Sequence, residues 1–199
     1  MGLIEELRDQ KICLDTSPII YFIEKHSKYW NLVRPVFIEI NSGNIEAITS
    51  TLTLLEVLVL PFRTGNEDLA EKYREILLSS KGLTTFEILH EIYELAAQLR
   101  AKYSIKTPDA IQIAVGVRYG ASKFLTNDPG LKKISEIKVY VLDDIPFSRT
   151  TCDLSFSSQR SDRLSSICLS EGAGASYDSQ QCPQDRKELV GFTPIEVAL

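Results

Sequence analysis

The first 145 or so residues predict an α/β domain with a mostly parallel sheet, and three observations lead there. Short apolar runs alternate with helical patterns from Lys11 to Leu142, as successive βα units require. The helical patterns bring their own punctuation, with hydroxyl residues and proline at their starts and glycine at their ends. After Asp144 the alternation stops.

Lys11 to Leu14 reads as the first strand, which ends at Asp15. Thr16-Ser17-Pro18 then opens a helix, since hydroxyls cap N-termini and proline in a first turn lacks only an N–H that has no helical partner there. A second helix runs from about Tyr29 to Ser42 and is closed by Gly43; Pro35 inside it is expected to kink it or delay its start. Glu46 to Ser50 is the second strand. Thr53 reads as the N-cap of a helix through Leu60, with Pro61 and Gly65 as terminators. From Glu67 to Ser80, Leu69, Tyr73, Ile76 and Leu77 share one helical face, and Gly82 ends the pattern. Leu83 to Phe86 is the third strand. Glu87 to Lys102 places Ile88, Ile92, Leu95, Ala96 and Leu99 on one side of a long helix. Thr107-Pro108-Asp109 opens a further helix, Asp109 to Tyr119, capped by Gly120. Lys123 to Thr126 and Val139 to Leu142 are the fourth and fifth strands, and Asn127-Asp128-Pro129-Gly130 between them is a turn.

Beyond this lies a different composition. Ser155 to Ser179 is rich in Ser, Gln, Gly and charge, which offers too little apolar surface to offset the entropy of ordering. The expected organisation is therefore a domain over 1–145 and a low-complexity, disordered tail over 146–199. The net charge of -5 is not that of a protein that simply wraps nucleic acid through its phosphates. However, 17 basic and 19 acidic residues fall through Asp143, against 5 and 8 after it, so the domain itself is near neutral. The N-terminus shows no signal-peptide pattern, and the apolar segment Leu52 to Phe62 is too short to span a bilayer. None of Cys13, Cys152, Cys168 and Cys182 forms a CxxC pair, which removes zinc and redox motifs. A cytoplasmic location and no membrane association are expected.

Four carboxylates stand where strands hand over to helices. Asp15 follows the first strand and Asp128 the fourth, while Glu56 and Asp109 lie in first turns of helices. Ligands of an open parallel sheet bind at the carboxyl ends of its strands, so all four are expected at one edge. Clustered carboxylate oxygens suit Mg²⁺ or Mn²⁺, and such an ion activates water and offsets charge on a phosphoryl group. Each acid also has a purely structural reading. Thr53-Leu54-Leu55-Glu56 matches a capping box, Asp109 complements a helix dipole, Asp128 suits a turn, and Asp15 suits a cap. Taken jointly, the positions favour a metal site.

The segments Ile12-Cys13-Leu14-Asp15-Thr16-Ser17, Leu54-Leu55-Glu56-Val57, Thr107-Pro108-Asp109-Ala110 and Phe124-Leu125-Thr126-Asn127-Asp128 resemble, in order and spacing, the motifs of PIN-domain nucleases. More narrowly they resemble VapC-type toxins of toxin–antitoxin pairs, over residues from about 10 to 143. The resemblance implies a five-stranded sheet ordered 3-2-1-4-5, Mg²⁺- or Mn²⁺-dependent endoribonuclease activity, homodimerisation, and inhibition by a small antitoxin. Carried onto this chain, it makes Asp15 and Asp109 the principal metal ligands. Glu56 completes the site directly or through water, and Asp128 holds a second ion or orients a water. It assigns the hydroxyls of Thr16 and Thr126 to holding the carboxylates, though strand-end capping explains Thr16 as well. Proteins of this kind end soon after the fifth strand, so the tail is a departure.

Other functions find less support. His26 and His90, the only histidines, fall on predicted helices away from the strand ends, which leaves no basis for a Ser–His–Asp or zinc site. Tyr21, Phe22, Tyr29 and Trp30 suit core packing or a dimer face better than base stacking, and Lys106, just before Asp109, is the basic residue best placed beside an RNA groove. An RNA-maturation nuclease without an antitoxin is the alternative enzyme. A phosphoacceptor receiver domain would need a pair of acids after the first strand and a lysine after a late one, whereas here Leu14 precedes Asp15 and Lys132 follows Asp128 only by a turn. A catalytically dead binding module is disfavoured by the complete quartet.

Overall fold

The computed structural model describes residues 2–146. The tail expected over 146–199 therefore lies, apart from Pro146, outside the described residues. In chain order the elements are α1 (Leu3–Leu7), β1 (Lys11–Leu14), α2 (Thr16–Ile23), α3 (Trp30–Asn41), β2 (Glu46–Ser50), α4 (Thr51–Thr64), α5 (Glu67–Ser79), β3 (Leu83–Phe86), α6 (His90–Tyr103), α7 (Thr107–Arg118), β4 (Lys123–Thr126) and β5 (Lys138–Val141). Short 3₁₀ turns follow β4 at Pro129–Lys133 and β5 at Leu142–Asp144.

All strand pairings are parallel and the sheet order is β3-β2-β1-β4-β5, as the motif resemblance implied. Alternation along each strand serves two cores. Ile12, Leu14, Ala47 and Leu125 face one side, where Phe22, Val33, Phe37, Ile40 and Tyr73 cover them. Cys13, Ile48 and Phe124 face the other, against Ile92, Ala96 and Leu99 of α6 and the buried face of α7. The strand order reverses between β1 and β4, so a crevice opens between their carboxyl ends.

Two glycines set close approaches. Gly116 lets α7 lie on β1, since a Cβ there would stand 3.0 Å from that of Cys13. Gly82 has φ +86 and turns the chain into β3; a Cβ there would meet the carbonyl oxygen of Ile40 at 2.2 Å. The Phe22, Trp30 and Phe37 rings belong to the core, with Phe22 and Phe37 stacked at 4.0 Å.

Several expected boundaries move. Pro61 does not terminate α4, which continues to Thr64. One missing N–H is tolerated because the last turn is closed by left-handed Gly65 and by the Asn66 amide donating to the Pro61 carbonyl. α3 runs through Pro35 in the same way. Thr53 is not an N-cap: Ser50 holds that position, and Thr53 is a buried residue of the helix. Glu56 accordingly sits in the second turn of α4, and the capping box does not form. α6 starts three residues later than its apolar spacing suggests, because Leu89 is extended. β5 begins and ends one residue earlier than expected. His26 lies between α2 and α3 rather than within a helix, and its ring tilts against Tyr21 and Tyr29. No helix among the described residues is long and apolar enough to cross a membrane.

Candidate metal centre

Asp15 ends β1 and caps α2. Its Oδ1 accepts from the Thr16 amide at 2.7 Å, while Oδ2 accepts from the Thr126 hydroxyl at 2.6 Å and the Ser17 hydroxyl at 3.4 Å. Thr126, fully buried at the end of β4, also accepts from the Asp128 amide at 3.0 Å. One hydroxyl thus ties Asp15 to Asp128 across the crevice where the sheet order reverses. Asp128 in turn caps the 3₁₀ turn, its Oδ1 accepting from the Gly130 amide at 2.7 Å. The structural readings of these two acids hold, and they leave further lone pairs on each carboxylate.

Glu56 reaches the same region from α4, where its Oε2 accepts a short hydrogen bond from the Thr16 hydroxyl. Asp109 enters from the first turn of α7, whose N-terminus lies at the carboxyl edge because the helix runs back against the strands. Half-buried, Asp109 receives no hydrogen bond from any described side chain or amide. Burial pushes its carboxyl above the usual range, and the charges of Asp15, Asp128 and Glu56 push it further, with Lys106 alone opposing. Asp15 is likewise raised by burial, against the pull of its Thr126, Thr16 and Ser17 hydrogen bonds and with a push from Asp128. The four acids expected together therefore share one electrostatic neighbourhood.

Among the described residues no three His, Cys, Asp or Glu side chains close tightly enough to form a ready metal cage. The donor set is nonetheless all hard oxygen, which fits an ion such as Mg²⁺ that keeps several waters and binds through one or two carboxylates. Softer chemistry is excluded locally. The Cys13 thiol is fully buried and pushed far up by desolvation, so it offers no thiolate. Both His26 and His90 are exposed, and neither is among the groups that shift Asp15 or Asp109.

Some residues at this edge have a part in it that the sequence did not suggest. Asn127 donates to the hydroxyls of Tyr29 at 3.0 Å and Tyr21 at 3.3 Å, and accepts from the Asp143 amide, which braces the turn carrying Asp128. Tyr29 and Lys28 both donate to Asp143 Oδ1, at 2.8 and 2.5 Å. Gln112, Thr53, Thr49 and Ser50 form a buried polar cluster beneath Asp109 and Glu56. The available signal was a lone amide in the apolar run Ala110-Ile111-Gln112-Ile113-Ala114.

No curated protein matches the chain significantly by sequence. Among solved structures, VapBC2 of Rickettsia felis bound to a promoter DNA fragment matches with a TM-score of 0.52 at 18% identity, covering 66% of this chain and 98% of that one. A toxin–antitoxin complex from Klebsiella pneumoniae gives 0.51 at 19%, with 66% and 97% covered. VapC20 of Mycobacterium tuberculosis, a sarcin-ricin loop cleaving toxin, gives 0.51 at 16%, with 64% and 98% covered. At such identities the likeness is one of fold. The sequence itself matches the PIN domain over residues 12–137, more than half its length, and with the parallel sheet and the acids at its switch point this chain belongs to the PIN-domain family.

Proposed function

We propose that this chain is a divalent-metal-dependent endoribonuclease that hydrolyses RNA phosphodiester bonds, acting as the toxin of a toxin–antitoxin pair. PIN domains are typically metal-dependent nucleases. The observation that carries the reading is Asp109: a half-buried carboxylate with no hydrogen-bond donor among the described residues, within electrostatic reach of three other acids. Like charges so placed repel each other and any polyanion, and a hard cation relieves both repulsions at once.

Asp15 and Asp109 would be the principal ligands of Mg²⁺ or Mn²⁺, with Glu56 and Asp128 completing the site. A bound ion supplies a water of lowered pKa and offsets charge developing on the phosphoryl oxygens. The protein's part is orientation. Thr126 holds one oxygen of Asp15, the Thr16 amide holds the other, and the Thr16 hydroxyl holds Glu56, so these two carboxylates are fixed in direction before substrate arrives. Lys106, exposed just before α7 and close enough for its charge to act on Asp109, would meet the phosphate backbone.

The partners proposed are RNA, a small antitoxin and a second copy of the chain, in the cytoplasm. Leu55, Val59, Leu60 and Phe62 of α4 are exposed apolar residues leading away from Glu56, and a protein partner would cover them. Residues 1–145 would be the nuclease domain, and 146–199 an appended segment with no catalytic role.

Incubation of the purified full-length chain with total RNA and Mg²⁺ or Mn²⁺, beside Asp15→Asn, tests the activity. The wild type is expected to cleave and the variant to lose at least about a hundredfold. Equal cleavage by both, or none with either ion, overturns the nuclease. Growth arrest on bacterial expression of the wild type, absent with Asp15→Asn, is the expected sign of a toxin.

A further inference from the structure

Every buried position of α7 from Ala110 to Val115 is apolar except Gln112, which is 1% exposed. Its Oε1 accepts from the Ser50 hydroxyl at 2.9 Å, and its Nε2 donates to the Thr53 hydroxyl at 2.5 Å. The direction of the chain beyond is forced. Thr49 spends its own proton on the Leu14 carbonyl at 3.0 Å, so the 2.8 Å contact between Thr49 and Thr53 carries the proton of Thr53. Thr53 must then accept from Gln112, and only the amide nitrogen can give. A buried donor chain runs from Gln112 through Thr53 and Thr49 to the last carbonyl before Asp15.

Each station of this chain is one short step from an acid. Gln112 lies one turn after Asp109 on α7, Thr53 one turn before Glu56 on α4, and Leu14 immediately before Asp15. Ser50, the second partner of Gln112, is the residue at which β2 becomes α4. The Thr16 hydroxyl already joins the Asp15 segment to α4 through Glu56 and lies 3.5 Å from the Thr53 hydroxyl. Apart from Gln112's side chain, however, α7 meets them here through apolar packing and a long contact from the Cys13 thiol to the Gln112 carbonyl at 3.5 Å, which fix distance loosely and orientation hardly at all. An amide with one donor and one acceptor engaged fixes both.

We propose that Gln112 is a positioning residue that sets the spacing of Asp15, Glu56 and Asp109 for a shared cation. It touches none of the reacting groups. The length of its side chain matters, because Asn would stop a methylene short of Ser50 and Thr53, and Met would fill the volume but leave both hydroxyls without their amide. The inference rests on the reading that these acids hold a cation, so its test measures binding directly.

The experiment is calorimetric titration of Mn²⁺ into the full-length chain, with melting temperature recorded alongside. Gln112→Met is expected to weaken Mn²⁺ about 10–100-fold. Ser50→Ala, a small deletion that keeps the fold, is expected to weaken it by about threefold or more through the same bond. Val115→Ala, equally buried on α7 but outside the polar chain, is expected to lower the melting temperature and keep Mn²⁺ affinity within about twofold. Unchanged affinity in both Gln112→Met and Ser50→Ala overturns the inference, as does an equal loss in Val115→Ala, which would make the effect one of general loosening. If the wild type itself binds no Mn²⁺, the proposed function falls and takes this inference with it; equal binding by wild type and variants overturns this inference alone.

Discussion

Asp109 bears its charge in inhospitable surroundings: partial burial, no donor among the described residues, and three like charges within electrostatic reach. Because its native carboxyl is raised above the ordinary 3.8, the folded protein binds a proton there more readily than the unfolded chain. The sign follows. Metal-free stability contributed by this group is greatest below pH 3.8 and is lost as pH rises through the raised native value. Asp109→Asn removes that loss. In EDTA at neutral pH the variant is expected to melt roughly 2–4 °C above the wild type, the shift that about 1 kcal/mol produces in a domain of this size. The gap should close as pH falls towards 3.8. Saturating Mg²⁺ reverses the order, since only the wild type gains the free energy of binding an ion to the native state. A metal-free variant that melts at or below the wild type would mean that the four charges do not press on one another. Asp15 is a poorer probe for this purpose, because its oxygens also cap α2 and hold Thr126, and an amide there would disturb both.

At the level of elements, the contact between the turn into β3 and the end of α3 decides how the outer strand docks. Gly82→Ala would force a left-handed residue to carry a Cβ into the Ile40 carbonyl. The left-handed penalty and the displacement of a packed neighbour together suggest a loss of roughly 2–4 kcal/mol, read as a lower urea midpoint. An unchanged midpoint would show that the turn relaxes freely and that β3 contributes little. The strands themselves were legible in the sequence, since apolar runs of four or five residues bounded by Gly, Asp or Ser leave little choice of register. Both ends of α4 were not. Pro61 and Thr53 look like punctuation locally, but the first is tolerated because Gly65 and Asn66 close the turn, and the second is drawn inward by Gln112. The places of Asp15 and Asp128 at the carboxyl edge of the sheet were readable because strand-end positions are local features. The polar chain beneath them was not, since its members lie on β2, α4 and α7 and acquire meaning only when the fold brings them together.

For the molecule as a whole, the question is where the domain that houses the acids is complete. Among the described residues, both cores are built from residues up to Leu142, with Ile145 packed at the rim of the first. Asp143 adds an ion pair with Lys28 and receives the Tyr29 hydroxyl. That pair is exposed and contributes little by itself, but Asn127 accepts from the Asp143 amide and carries the bracing on to the Asp128 turn. A chain ending at Pro146 keeps all of these contacts, whereas one ending at Val141 loses Leu142, Asp143 and Ile145 together. The first truncation is expected to melt within about 2 °C of the full-length protein and to retain metal-dependent cleavage. The second should lose roughly 2–4 kcal/mol from the missing leucine alone, enough to remove much of the stability of an ordinary domain. Thermal melts and RNA cleavage of the two truncations, side by side, provide the measurement. If the chain ending at Pro146 folds but no longer cuts, the appended segment takes part in the reaction, and the boundary proposed here has been drawn too early.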